Sequence, residues 1–302
     1  HRALARGDEV TVYDVLTYAG NPANLAGLDG GDGYRFVRGD VCDGGALADA
    51  MTGHDAVVHF AAESHVDRSI TDPARFVITN CEGTATVCEV ALRLGVERVL
   101  HVSTDEVYGS IDVGSFVETD SLGPSSPYSA SKAGSDLIAL SYHATYGLPV
   151  VVTRSSNNYG RFQFPEKVIP LFVTNLLEGR RVPLYGDGLN VRDWCHVDDN
   201  CDAIDLVLRS GEPGGIYNVG SGNELTNLDL TSRLLSLCGA DDSSIEQVDD
   251  RPGHDRRYSI DTTRIRDLGW SPQRGLDEGL EATVAWYRDN RDWWGPLLGP
   301  SP

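Results

Sequence analysis

The sequence lacks an apolar run long enough to cross a membrane, a pair of closely spaced cysteines, and an excess of basic residues. Its apolar runs fall short of the roughly 18 residues that a membrane-spanning helix needs, and no signal peptide is recognisable. The six cysteines form no Cys-x-x-Cys pair, which argues against a metal site. Several of them lie in apolar segments, so we expect reduced thiols in a cytoplasmic protein.

The charge balance is strongly acidic. The chain carries 45 acidic residues against 25 lysines and arginines, a formal net charge of −20. Such a charge argues against nucleic acid or an anionic membrane as a partner. An anionic small molecule would therefore need a local basic cluster. The 302 residues are enough for one large domain or two lobes with a sizeable core.

Strand and helix signals alternate along the first half of the chain. Strands are predicted at Val10 to Asp14, Arg35 to Arg38, Ala56 to Phe60, Arg98 to Ser103 and Pro149 to Arg154. Helices are predicted from Pro73 to about Leu94 and from Pro127 to about Tyr146, because proline is common at the first helical position and a glycine follows each segment. This alternation predicts an α/β fold with a doubly wound, Rossmann-like parallel sheet over residues 1–160.

The second half of the chain is more irregular. Helices are predicted at 165–179, 197–209, 227–238 and 275–290, and short strands near 215–219 and 245–248. We interpret residues 161–302 as mainly a smaller C-terminal substrate lobe, with some segments returning to the first domain.

The start of the chain differs from a complete dinucleotide-binding fold. That fold normally opens with a strand, a Gly-x-x-Gly-x-x-Gly turn and a helix. The segment His1–Gly7 looks like the tail of that helix. We therefore expect the first strand and the glycine-rich turn to lie N-terminal to His1.

Two short segments concentrate the chemically useful side chains. Thr104, Asp105 and Glu106 follow a predicted strand, and open α/β sheets bind ligands at the carboxyl ends of their strands. Tyr128 and Lys132 are four residues apart, so a helix places them on one face. A lysine beside a tyrosine lowers the pKa of the phenol, which makes a general base for a sugar or alcohol hydroxyl. Each segment alone is common as a solvated loop or helix face, whereas the two in this order favour a catalytic site.

Together with other segments, these residues resemble the extended short-chain dehydrogenase/reductase family and, within it, the 4,6-dehydratases of dTDP-glucose. The similar segments are Asp14–Asn21, Ala61–Ser69, Thr104–Gly109, Ser126–Lys132, Ser156–Gly160, Phe164–Lys167, Val191–Trp194 and Asp250–Tyr258. The Asp105-Glu106 pair is the specific feature, since epimerases of the superfamily usually carry small hydroxyl residues there. The chain departs from the family pattern at Arg161, where proline is usual.

The resemblance implies NAD as a tightly bound cofactor. Asp14 ends a strand where an acid accepts hydrogen bonds from the adenosine ribose and repels a 2′-phosphate, so NAD is favoured over NADP. The residues that the resemblance assigns to the cofactor are Asp14, Val15, Leu16, Thr17, Asp40, Val41, Phe60, Ala61, Ala62, Ser64, Thr79, Tyr128, Lys132 and Asn158.

The resemblance also implies dTDP-glucose as the substrate. The residues assigned to it are Ser64, Thr104, Asn157, Lys167, Val168, Pro183, Leu184, Tyr185, Arg192, Asn227, Asp250, Arg251, Pro252, Gly253 and His254. Among these, Lys167, Arg192, Arg251 and His254 would supply the basic cluster that a diphosphate needs.

The family's mechanism implies a role for each catalytic residue. Tyr128 takes the proton of the sugar 4-hydroxyl, Lys132 keeps the pKa of Tyr128 low, and Thr104 hydrogen-bonds the 4-oxygen. After oxidation at C4, Glu106 removes the C5 proton and Asp105 protonates the departing 6-hydroxyl. Two alternatives stay open: another nucleotide-sugar enzyme, such as a UDP-sugar dehydratase, an epimerase or a decarboxylase, and an inactive NAD-sensing protein, which typically lacks the tyrosine or the lysine.

Family members pair the helices near 73–94 and 127–146 across a two-fold axis. The resemblance therefore implies a homodimer. Apolar residues that we assign to this contact are Phe76, Val77, Val87, Val90, Ala91, Leu94, Leu137, Ile138 and Leu140.

Overall fold

The computed structural model describes residues 1–28 and 31–298. The strands are β1 (Val10–Asp14), β2 (Tyr34–Arg38), β3 (Ala56–His59), β4 (Arg98–Thr104), β5 (Val150–Ser155), β6 (Asn157–Tyr159), β7 (Val182–Tyr185), β8 (Val191–His196), β9 (Ile216–Val219), β10 (Glu224–Thr226) and β11 (Ile245–Val248). The helices are α1 (Arg2–Ala5), α2 (Gly44–Met51), α3 (Val66–Thr71), α4 (Pro73–Phe76), α5 (Gly83–Leu94), α6 (Pro127–Tyr146), α7 (Val168–Leu177), α8 (Val197–Ser210), α9 (Asn227–Cys238), α10 (Thr263–Asp267), α11 (Leu276–Asp289) and α12 (Arg291–Trp294).

Parallel strands form the centre of the first half. The order in the larger sheet is β3-β4-β5-β9, with all pairs parallel. In the described residues, β1 and β2 form a separate parallel pair. These strands and the helices around them confirm the predicted Rossmann-like α/β class. The sheet also takes in β9 from the second half of the chain.

Both faces of the larger sheet are covered, which explains the apolar run in β5. Its Val150, Val151 and Val152 are all fully buried. Val150 and Val152 pack with α2, α5 and α6 on one side, whereas Val151 packs with α8 and β9 on the other. Branched residues suit a strand that is buried on both faces.

A second core lies mainly in the second half of the chain. The small sheet β10-β8-β6 and the parallel pair β7–β11 are packed against α7, α9 and α11. Trp194, Leu230, Leu234 and Tyr287 are central members of this core. The four helices predicted after residue 160 are present as α7, α8, α9 and α11, but β6, β7, β8 and β10 were missed. Three of these strands, β6, β7 and β10, have only three or four residues.

Helix α6 has the limits that the sequence predicts. Ser126 and Ser129 form a reciprocal capping box at its start, and Gly147 ends it in the left-handed region at φ 74°. A cap of this type stabilises a helix by about 1 kcal/mol. The helix is therefore a firm base for the residues on its buried face.

The predicted helix from Pro73 to Leu94 is not continuous. A π-helical turn, Val77–Glu82, separates α4 from α5. Within this turn, Oδ1 of the buried Asn80 accepts a hydrogen bond from the Glu63 amide at 2.8 Å. Its Nδ2 donates to the Glu63 carbonyl at 3.0 Å and to Ser131 Oγ at 2.8 Å. The turn aims Asn80 at the loop after β3, and π turns of this kind are frequent near functional sites.

No helix of the described residues is both long and apolar enough to span a membrane. The six cysteines all carry free thiols. Within residues 1–28 and 31–298, no group of three or more histidines, cysteines or carboxylates is placed to hold a metal ion.

Candidate active site

Thr104, Asp105 and Glu106 lie at the carboxyl end of β4, as the sequence predicts. Asp105 begins a single 3₁₀ turn that ends at Tyr108, and Thr104 Oγ1 caps it by accepting the Glu106 amide at 3.3 Å. Gly109 follows at φ 85°, and a Cβ there would collide with the carbonyl of Gly123. The chain can therefore turn sharply after β4 and hold both carboxylates inside the protein.

Tyr128 and Lys132 lie on one buried face of α6. The Tyr128 ring meets Phe76 edge to face, with 6.3 Å between centroids. Lys132 Nζ donates to the Val102 carbonyl at 2.8 Å. The hydroxyl of Thr104 acts on Tyr128 as a hydrogen-bond partner, so the structure brings the predicted base and the β4 segment together.

The electrostatics of Tyr128 correct one sequence-based expectation. Burial, together with the charge of Glu106, raises the pKa of Tyr128 above its usual value. The net shift is thus opposite to the lowering that the spacing of Tyr128 and Lys132 predicts, because burial is the largest influence on the phenol. Burial itself lowers the pKa of Lys132 to about 8, although the Asp136 carboxylate opposes that shift.

Asp105 has surroundings that disfavour its charge. Burial raises the pKa of Asp105 well above its usual value, and the charges of Glu106 and Asp193 add to the effect. Its Oδ2 is buried without a hydrogen-bond partner. A carboxyl group in such a place keeps its proton and can act as an acid.

Glu106 has a different environment. Burial raises its pKa too, but the positive charges of Arg192, Arg251 and Lys167 oppose the shift. Two adjacent carboxyl groups whose surroundings differ in this way are suited to separate acid and base roles.

The predicted basic cluster is assembled around Glu106. Lys167 Nζ donates to the Ser64 carbonyl at 2.7 Å, and Arg251 pairs with Asp67 at 3.3 Å. Burial lowers the pKa of Lys167. Four chain segments that are far apart in sequence therefore meet at one place.

Arg192 and the segment Asp250–His254 complete the cluster. Arg192 donates to the Asp255 carbonyl at 2.8 Å, and its guanidinium lies 4.0 Å from the centroid of the Tyr258 ring. His254 Nδ1 lies 2.6 Å from Asp250 Oδ1. The Tyr185 ring approaches His254 edge to face, at 6.3 Å between centroids.

The other predicted substrate residues are spread over the second lobe. Asn157 lies in β6, Val168 begins α7, Pro183 and Leu184 lie in β7, and Asn227 begins α9. The Asn227 amide donates to the Asn190 carbonyl at 2.9 Å. Arg161, the departure from the family pattern, points outward to Asp198 at 3.7 Å.

Sequence reasoning missed four buried groups behind and beside the site. Asp136, His101 and Arg154 form a polar cluster under Lys132, and Tyr258 lies next to Glu106. Asp136 follows Lys132 by four residues, so its helical position was a usable signal. The partners of Asp136 come from other strands and left no local signal.

Comparisons with known proteins agree with this geometry. The family model described as GDP-mannose 4,6 dehydratase matches residues 1–283. The dTDP-glucose 4,6-dehydratase of Streptomyces niveus is 55% identical, over 97% of this chain and 88% of that protein. The crystal structure of DesIV, a dTDP-glucose 4,6-dehydratase from Streptomyces venezuelae with NAD bound, is 58% identical with a TM-score of 0.96, and the match covers 98% of this chain and 94% of that one.

The chain belongs to the dTDP-glucose 4,6-dehydratase family. A UDP-glucose 4-epimerase of Thermotoga maritima shares the fold at a TM-score of 0.89, over 95% of this chain and 93% of that one, but is only 30% identical. The resemblance stated from the sequence is thus confirmed at the level of family and fold.

The residues at the strand ends fit NAD. Asp14 ends β1, where its Oδ1 accepts the Leu16 amide at 2.7 Å in a tight turn; Leu16 adopts φ 53°, and Val15 and Thr17 flank it. The Lys132 ammonium has three donors, of which Val102 takes one. Phe60, at the end of β3, leaves 59% of its surface exposed.

The remaining residues that the resemblance assigns to the cofactor follow strands, or lie in the π turn or in β6. They are Asp40 and Val41 after β2, Ala61, Ala62 and Ser64 after β3, Thr79 in the π turn, and Asn158 in β6. Asn158 Oδ1 is buried without a hydrogen-bond partner, so it is an acceptor that a ligand can satisfy.

Proposed function

We propose that this protein is an NAD-dependent hydro-lyase that converts dTDP-glucose to dTDP-4-keto-6-deoxyglucose and water. The observation that carries the proposal is the meeting of Thr104, Asp105 and Glu106 with Tyr128 and Lys132 in one buried site, in a chain 55% to 58% identical to dTDP-glucose 4,6-dehydratases. The Asp105-Glu106 pair favours a dehydratase over an epimerase, which needs no acid and base for water loss.

The oxidation half of the reaction uses α6 and β4. Bound NAD would supply the hydride acceptor for C4 and, once reduced, the hydride donor for C6. Tyr128 takes the proton of the 4-hydroxyl, and Thr104 hydrogen-bonds the 4-oxygen. Lys132 stabilises the phenolate by its charge and supplies spare donors for the ribose next to the nicotinamide.

The elimination half uses the two carboxyl groups. A ketone at C4 acidifies the C5 proton, which Glu106 removes in its ionised form. Asp105, which burial keeps protonated, gives its proton to the 6-hydroxyl as that group leaves as water. The two different environments support this division of roles.

The basic groups around Glu106 would bind the diphosphate. Arg192 and Arg251 offer planar guanidinium forks, and Lys167 offers a point charge. His254 would add a further donor. In a chain of net charge −20, such a cluster is needed to attract a dianionic group.

We also propose that the protein is a cytoplasmic homodimer. Of the apolar residues assigned to the contact, Phe76, Val87, Val90 and Ala91 are buried within one chain and cannot contribute. Val77, Leu94 and Leu137 are exposed, and Ile78, which follows Val77, is also exposed. Because α5 and α6 pack side by side, these four residues offer an apolar surface to a second copy.

Incubation with dTDP-glucose and, separately, UDP-glucose tests the proposed reaction. A 4-keto-6-deoxy product from dTDP-glucose, formed without net change in NAD, is the expected result. A product epimerised at C4, or no turnover by folded protein with NAD bound, would contradict it.

A further inference from the structure

Behind Lys132 the protein buries a second carboxylate that the reaction scheme does not use. Tyr128, Lys132 and Asp136 follow one another at intervals of four on α6, so they line one face of the helix. Asp136 has no exposed surface at all. A buried carboxylate needs charged or hydrogen-bonding partners to persist.

The partners of Asp136 come from two neighbouring strands. Arg154 of β5 donates its Nε to Asp136 Oδ2 at 2.9 Å. His101 Nε2 of β4 lies 3.2 Å from Asp136 Oδ1 and 3.1 Å from Ser135 Oγ. Burial raises the pKa of Asp136, but His101, Arg154 and Ser103 more than offset it, so the pKa lies below its usual value and the group is ionised.

The charges in this cluster can be counted. Burial lowers the pKa of His101, and the Lys132 charge lowers it further, so this ring is neutral. The His59 ring lies 5.4 Å away between centroids, tilted by 40°, and burial lowers its pKa as well, so it is also neutral. Two buried cations, Lys132 and Arg154, therefore share one buried anion. The groups that face Lys132 or Asp136 from the packed elements are His59 of β3, His101 and Ser103 of β4, Arg154 of β5, Cys81 of the π turn and, on α6 itself, Tyr128. Tyr108 in turn lies against Arg154.

We propose that Asp136 is a positioning residue for the reaction, whose carboxylate holds Lys132 in its ammonium form beside Tyr128. Arg154 and His101 fix Asp136 in the ionised state and in place. Without Asp136, burial would leave two cations with no carboxylate among them, and Lys132 would release its proton. The consequence for the reaction rate rests on the proposed function, whereas the effect on the charge of Lys132 does not.

The composition of the chain makes the charge of Lys132 directly measurable. The sequence contains only two lysines, Lys132 and Lys167. Protein labelled with ¹³C at the lysine ε-carbon therefore gives two side-chain resonances, which a Lys167→Arg variant assigns. Titration of the Lys132 resonance reports its pKa with no need for turnover.

Asp136→Asn and Arg154→Gln should shift the Lys132 titration in opposite directions. The Asp136→Asn substitution removes the nearby anion, so the Lys132 pKa should fall by about one unit or more. Loss of the Arg154 charge should raise it. Asp112→Asn, at an exposed loop carboxylate, is the matched control and should leave the titration unchanged.

The alkaline limb of the pH profile of kcat should shift in the same direction as the Lys132 pKa in each variant. In Asp136→Asn, the alkaline limb of kcat should move to lower pH, because Lys132 loses its charge earlier. A structural role alone would lower the rate of both variants without moving the limb in opposite senses. An unchanged Lys132 titration in folded Asp136→Asn would overturn the proposal. If Asp136→Asn does not fold, the Arg154→Gln variant tests the proposal instead. A Lys132 pKa that falls or stays unchanged in Arg154→Gln would then overturn the proposal. If the Lys132 pKa shifts in opposite directions in the two variants but the parent protein does not turn over dTDP-glucose, only the proposed function is contradicted.

Discussion

The hydroxyl of Tyr258 lies 3.4 Å from Glu106 Oε2. The same hydroxyl donates to Asp255 Oδ2 at 2.8 Å, and Arg192 stacks over the ring. A residue 152 positions away in sequence thus lies beside the carboxylate that we assign as the elimination base. The assignment of Glu106 to this role leads to the first prediction.

Glu106→Gln should retain oxidation at C4 but stop before water loss, because the amide cannot accept the C5 proton. Mixing the variant with dTDP-glucose should produce the absorbance of NADH with little 6-deoxy product. Glu97→Gln, at an exposed carboxylate, is the control and should behave as the parent. Normal yields of 6-deoxy product from Glu106→Gln would remove Glu106 from this role.

Tyr128→Phe removes the proton acceptor but keeps the ring that packs on Phe76. Loss of a general base typically costs on the order of 10²–10⁴-fold in rate, and kcat should fall by that amount. Tyr146→Phe, at the exposed end of the same helix, should change kcat little. A decrease of less than about fivefold in the folded Tyr128 variant would mean that another group is the base.

The cofactor preference should depend on Asp14. Its carboxylate at the end of β1 repels a 2′-phosphate and accepts bonds from the ribose hydroxyls, so the protein should bind NAD⁺ more tightly than NADP⁺. Asp14→Asn should narrow the difference, mainly by weakening NAD⁺ binding and admitting NADP⁺. Equilibrium titration of both nucleotides measures this, and equal affinities in the parent protein would count against Asp14.

The acid limb of the elimination step should respond to Arg192. Burial raises the pKa of Glu106, and Arg192 is the nearby cation that opposes this shift most. Arg192→Gln should therefore raise that pKa further and move the acid limb to higher pH, since Glu106 must be ionised to act. Arg233→Gln on the surface of α9 is the control. A limb that stays in place or moves to lower pH would show that Glu106 is not the titrating group.

Light scattering should give about twice the 32.7 kDa chain mass at micromolar concentration. Leu137, 60% exposed on α6, belongs to the proposed contact, and Leu137→Glu should shift the protein to monomer. Val113→Glu, at an exposed loop position, should leave the mass unchanged. A parent protein that is monomeric and fully active would contradict the homodimer.

The parts of the fold that could be predicted are those with local signals. Pro127 and Gly147 mark the ends of α6 in the sequence itself, and the run of valines in β5 marks a strand covered on both faces. The position of Tyr128 and Lys132 on one helix face followed from their spacing. These features depend on short-range geometry, which the sequence contains.

The features that could not be predicted depend on residues that are distant in sequence. The pKa of Tyr128 rises because the fold buries it beside Glu106, and the spacing to Lys132 gives no information about that. Asp136 becomes a buried anion only when β5 brings Arg154 to it. The short strands of the second lobe have too few residues to show a period.

The π turn Val77–Glu82 constrains the length of this segment more than its composition. Each residue rotates a helix by about 100°, so deleting one residue here would restore regular helical bonding and yet turn α4 relative to α5. Asn80 would then leave Glu63 and Ser131, and the loop after β3 would lose its anchor. Any single-residue deletion between 77 and 82 should therefore disrupt the cofactor edge of the sheet.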